Sequence, residues 1–194
     1  MDYDLAIDNA PASVPGGTAL LLVHPSIGET DRVDTDFLNG GTDRFLVIST
    51  RTTAREVEQK LDYYEVDEQN AVILDTLSVE RGYSRRSAPH IHYASGPDDV
   101  SGIVEHVEEF FTADEGRHRL TFDSLTELAY YADEDRALDV AKRLVDLIKT
   151  HDAVGLFHLS SEVHDEETVA EFVELFDGTV RLDDDGNVSY EADE

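Results

Sequence analysis

The chain of 194 residues has no cysteine, no tryptophan and a single methionine. Without cysteine it can form no disulfide, no thiolate-ligated zinc site and no thiol nucleophile. Basic residues are scarce: 15 Lys and Arg stand against 44 Asp and Glu, a formal net charge of -29. Only Lys60, Lys142 and Lys149 are lysines. With no basic stripe, the sequence argues against a nucleic-acid partner, whose phosphates are read by clustered Lys and Arg. No apolar run approaches the roughly 20 residues of a membrane span. The opening Met1-Asp2-Tyr3-Asp4 carries no basic targeting region. The expectation is therefore a cytoplasmic protein with no membrane partner. Neither G-x-S-x-G nor H-E-x-x-H occurs, which removes a nucleophile-elbow hydrolase and a helical zinc site.

What is present is acid, spread along the whole chain rather than gathered in a tail. That pattern fits a halophile's cytoplasmic protein: self-repulsion is its cost at low salt, and solubility in molar salt is its gain. The length points to one domain with a proper core. We divide it into an extended lead-in over 1–17, a single domain over 18–190 and an acidic tail over 191–194.

Apolar runs of strand length predict buried strands at 18–23, 45–48, 71–74, 120–123 and 154–159. Between them, three- and four-residue apolar steps predict helices: a short one at 31–38, closed by Asn39-Gly40-Gly41, then one opened by the capping box Thr53-Ala54-Arg55-Glu56. Others carry Val100 to Phe111, Ala137 to Ile148, and Val169 to Phe176 behind an Asp165 cap. Residues 76–97 read as irregular. The end reads as a hairpin, 178–182 and 188–190 about Asp185-Gly186, adding antiparallel strands at one edge. This alternation predicts a three-layer α/β fold with a mostly parallel central sheet and an antiparallel C-terminal hairpin.

The first predicted strand runs into Val23-His24-Pro25-Ser26-Ile27-Gly28-Glu29-Thr30. This keeps the last Gly and the Thr of the phosphate-binding pattern G-x-x-x-x-G-K-[ST], but has Val23 for the first Gly and Glu29 for the Lys. Two unit charges about 4 Å apart interact by roughly 4 kcal/mol at an effective dielectric near 20. Turning that attraction into repulsion removes much of the affinity for a polyanion. A second signal is Phe122-Asp123-Ser124-Leu125-Thr126, where a strand should turn into a helix. Asp123 there also fits a plain helix N-cap. A third is Asp177-Gly178-Thr179-Val180-Arg181-Leu182.

Together, in this order and spacing, the three segments resemble the KaiC-like branch of the RecA-like P-loop ATPases, over roughly residues 16–182. The resemblance implies a RecA-like fold and a vestigial nucleotide site made of Gly28, Glu29, Thr30, Asp123 and Ser124. Gly28 would turn helix amides toward phosphate, Thr30 would reach Mg²⁺, and Asp123 would order the metal's water. Where the family supplies catalytic glutamates after the second strand, this chain has Ser49-Thr50-Arg51-Thr52. With the Lys and the carboxylate both missing, the expectation is a catalytically inactive, pseudo-ATPase relative with no catalytic residues, no metal and no cofactor. Its role would be regulatory or protein-binding, its partner a protein, a second copy or an active KaiC-like relative.

Two alternatives stand beside it. One is a divergent ATPase that binds Mg²⁺ and ATP through Gly28, Thr30 and Asp123, with Arg51 or an Arg of the 81–86 loop as its cation. The other is a recombinase-related nucleic-acid-binding protein. Glu29 paired with Arg51 or Arg32 would plug the cleft from within, whereas an exposed Glu29 would favour the ATPase. Arg81, Arg85 and Arg86 form the one basic cluster, read either as local pairing or as a docking loop for an acidic partner. His90-Ile91-His92 would set two imidazoles on one strand face, a spacing too unspecific to name a metal.

Overall fold

The computed structural model describes residues 1–26, 29–39 and 43–192. Its centre is an eight-stranded sheet in which β3 (Thr18–His24) lies between β8 (Val154–Ser160) and β9 (Gly178–Leu182). Beyond β8 the sheet continues through β7 (His118–Asp123), β4 (Arg44–Ser49), β5 (Ala71–Asp75) and β6 (Ile91–Tyr93). All of these strands pair in parallel. Only β10 (Val188–Ala192), at the far edge, runs antiparallel, against β9.

Why β3 and β8 carry no polar alternation is plain from their surroundings: every residue of both is buried, because helices cover both faces. Ala19, Leu21 and Val23 pack toward α3 (Val100–Thr112), α4 (Leu125–Ala132), α5 (Glu134–Thr150) and α6 (Glu166–Val173). Leu20 and Leu22 pack toward α1 (Asp31–Leu38) and α2 (Ala54–Tyr63). Local signals set the helix starts. Thr53 and Glu56 form the reciprocal capping box of α2, and the carboxylates of Asp99, Asp133 and Asp165 accept from backbone N–H groups of α3, α5 and α6. In α5 the stripe Ala137, Val140, Ala141, Leu144, Val145 and Ile148 is fully enclosed. Gly155 of β8 leaves room beneath it, since a Cβ there would press on the end of the Ile148 side chain.

One expectation needs correction and two gain detail. The lead-in is not merely extended: β1 (Asp2–Asp4) and β2 (Ser13–Pro15) form an antiparallel pair of their own. Each buries only its middle residue, Tyr3 or Val14, so three-residue strands leave little periodicity to read. The 76–97 stretch contains β6, which pairs with β5 through the short register Ile73↔Ile91 to Asp75↔Tyr93. The C-terminal hairpin contributes one parallel and one antiparallel strand, because β9 pairs with β3 before the chain turns back. β10 also takes in Glu191 and Ala192 of the acidic end. Gly40 and Gly41, read as closing α1, lie outside the described residues.

Candidate functional site

The parallel strands bring their C-terminal ends to one edge. β3 ends in His24, β8 carries His158 and Ser160, β7 ends in Asp123, and β4 leads into Thr50 and Arg51. The register places Leu22 beside His158 and Phe122 beside Phe157, so His158 and Asp123 stand at neighbouring levels on adjacent strands. The start of α1 faces the same edge, a position where open α/β sheets form ligand crevices.

That crevice holds the protein's own charges. The Asp34 carboxylate of α1, 3% exposed, lies 2.5 Å from His158 Nε2 and 3.1 Å from Lys60 Nζ. Lys60 reaches in from α2 and also pairs with Asp31 at 3.5 Å. Arg51 Nη1 sits 3.7 Å from the Asp123 carboxylate. Burial works against every charge here, and the partners decide the outcome. Burial raises the Asp34 carboxyl, but His158 and Lys60 outweigh it and hold it below the usual carboxylate range. Burial lowers His158 and Lys60, yet Asp34 turns the shift of each upward. Asp123 is pushed up, chiefly by burial.

His24 behaves oppositely. Its Nδ1 donates to the Pro25 carbonyl at 2.8 Å, its ring meets His158 edge-on with centroids 5.3 Å apart, and its pKa falls to about 4 through burial and the neighbouring His158. His24 Nε2 and His158 Nδ1 are both enclosed without a hydrogen-bond partner among the described residues.

The residues expected at a nucleotide site are only partly assembled. Gly28 lies outside the described residues. Glu29 is exposed and pairs with neither Arg51 nor Arg32, whose partners are Asp123 and, for Arg32, Asp8 and Asp36. Of the two arrangements considered for Glu29, the structure has the exposed one, and the ion pairs in the crevice are made by other residues. Thr30 is buried at the start of α1, but its hydroxyl makes no capping bond. Asp123 is not the helix cap: Ser124 takes that role by accepting from Glu127 N, which leaves the Asp123 carboxylate facing the crevice. Thr50 ties this corner together, accepting from Ser124 N at 2.7 Å and donating from its own N–H to the Asp123 carbonyl at 2.9 Å.

The arginines of the 81–86 loop do not act as one cluster. Arg81 donates to the Tyr131 hydroxyl, Arg86 pairs with Glu58, and Arg85 has no carboxylate partner among the described residues. The two imidazoles of the His90-Ile91-His92 segment diverge: His90 contacts Glu58 of α2 and His92 meets His106 of α3. Among the described residues no group of three or more His, Asp or Glu could hold a metal, and no helix is long and apolar enough to cross a membrane.

A family model described as a family of unknown function, DUF7090, matches residues 1–192. The chain belongs to this family. No curated protein matches it in sequence. Its fold is similar to that of a KaiC-like protein from the hyperthermophilic archaeon Pyrococcus horikoshii, with a TM-score of 0.66 and 15% identity. That alignment covers 98% of this chain and 85% of the other. A second protein of the same organism aligns with a TM-score of 0.65 and 10% identity, over 92% of this chain and 88% of the other. These likenesses establish the KaiC-like, RecA-like fold.

The reading from sequence missed Asp34, Lys60 and His24. Asp34 had a signal: in α1 it shares the buried face with Val33, Phe37 and Leu38, where an acid needs a paired cation. Lys60 and His158, from another helix and another strand, could not be matched to it without the topology.

Proposed function

We propose that this family member is a non-hydrolysing KaiC-like protein, a regulatory or protein-interaction module of a halophile's cytoplasm. The observation that carries this reading is Asp34. A helix N-terminus favours negative charge, and in α1 that charge comes from Asp31 and Asp34 in the first turn, with Lys60 and His158 balancing it. The cations a polyphosphate would need are committed: Lys60 to Asp34, Arg51 to Asp123. Glu29 in the Lys position adds an anion, and Thr50 and Arg51 stand where a water-activating carboxylate belongs. The residues present do not fit Mg-ATP. A fold kept without the means for hydrolysis is one that serves by contact, and the high acidic load supports a molar-salt setting.

One observation favours the divergent ATPase as a second reading: Glu29 is exposed and leaves the loop unplugged at that position. It requires Lys60 and Arg51 to exchange their carboxylates for phosphate. Isothermal titration with Mg-ATP in molar KCl separates the two. The expected result is no saturable heat; micromolar binding abolished by Asp123→Ala would establish the ATPase reading instead.

A further inference from the structure

We propose that a second cavity, between the start of α2 and the 78–86 loop, binds a phosphate-bearing small molecule. The cavity, about 720 Å³, is lined by Arg55, Arg85, Arg86, Tyr83, Glu58 and Tyr93, among others. Its volume falls within the range of small-molecule sites. It lies at the β5 and β6 end of the sheet, with β4 between it and the Asp123 strand, so it does not depend on how the crevice is read.

The argument rests on where unmatched positive charge collects. In a chain with 44 acids for 15 bases, pairing is the easy outcome. Among the described residues every Lys and Arg does pair with a carboxylate, except Arg55, Arg81, Arg85, Lys142 and Arg143. Arg55 and Arg85 face the same cavity, together with Arg86.

The cavity's own acids do not neutralise them. Asp75 spends its oxygens inward, on Ala54 N, Leu77 N, Ser78 N and the Ser78 hydroxyl. Glu58 is shared between Arg86 and His90. Three guanidinium groups therefore share one available carboxylate. The segment that carries them is fixed: the Tyr93 hydroxyl accepts from Arg86 N at 3.0 Å and donates to Arg86 O at 3.1 Å.

Several guanidinium forks around one space match a tetrahedral dianion, which offers more charge and more acceptor oxygens than a carboxylate does. The global charge repels anions at long range, but near 1 M salt the screening length is about 3 Å, while contact pairs persist.

The test is calorimetry on the full chain in molar KCl, titrated separately with pyrophosphate and with glycerol phosphate. Saturable binding is expected, weakened about tenfold or more by R55E/R85E, with R85Q acting in the same direction. The control K142E/R143E makes the same charge change on α5 and should leave the affinity unaltered, as should Asp123→Ala. Tighter pyrophosphate assigns an inorganic ligand and tighter glycerol phosphate an ester; either supports the proposal. Absence of saturable heat with both ligands would overturn it. So would affinity that survives R55E/R85E, falls equally in K142E/R143E, or vanishes in Asp123→Ala.

Discussion

The two ends of the central sheet both bury charge, and they do so to different effect. At the N-terminal end Asp43 holds two cations, Arg119 at 2.8 Å and Arg117 at 2.7 Å. Arg119 is fully enclosed, donates to the Phe37 carbonyl at 2.9 Å, and shares the Tyr3 ring with Arg117. The Tyr3 hydroxyl in turn accepts from His118 N and donates to Asp152 O. The β1–β2 pair thus roofs this end. At the C-terminal end the carboxylates Asp31, Asp34 and Asp123 meet Lys60, Arg51 and His158, and two imidazole nitrogens have no hydrogen-bond partner among the described residues. One cluster closes an edge of the sheet. The other stands where a ligand's charge would stand.

If that contrast is right, removing the shared anion should hurt most where the stranded cation cannot lose its proton. Asp43→Ala leaves Arg119 buried without its carboxylate, and breaking such a pair costs about 3–5 kcal/mol. Urea unfolding in molar KCl should show this loss. Asp34→Ala should cost less, about 1–3 kcal/mol, because Lys60 keeps Asp31 and the buried His158, unlike Arg119, can give up its charge. Equal losses at the two sites would erase the distinction between a closed end and a filled crevice.

Proton linkage sharpens the comparison further. His24 has a pKa of about 4 in the fold against an ordinary 6.5. Above pH 6.5 it is neutral whether folded or unfolded; below, the unfolded chain takes up the proton first, so stability is lost as pH falls toward 4. His158 acts in the opposite sense. Its raised pKa makes the pair with Asp34 a contribution that is present below 6.5 and lost as pH rises through the folded value. Thermal melts from pH 7 to 4 should therefore fall less steeply for His24→Phe than for the parent chain. An identical slope would remove His24 from the account.

Much of the framework was legible in the residues themselves. The unbroken runs at 18–23 and 154–159 gave fully buried strands, and the Thr53–Glu56 box opened α2 where read. The apolar steps of α5 did likewise. What escaped was short or assembled at long range. β1, β2 and β6 are three residues each, too brief for alternation to stand out. The crevice pairs join residues far apart in sequence, such as Asp34 with His158, and a sequence does not display that register. Ser124 and Asp123 show the same limit at close quarters: either could cap a helix, and only the backbone path decided for Ser124.

Our central proposal is that the crevice, filled by the protein's own charges, takes no nucleotide. Thermal melting in molar KCl, with and without millimolar Mg-ATP, tests it most directly. A ligand at 100 times its dissociation constant stabilises a fold by about 2.7 kcal/mol. We predict that the melting midpoint does not move. A rise with Mg-ATP that Thr30→Ala or Asp123→Ala abolishes would contradict the account.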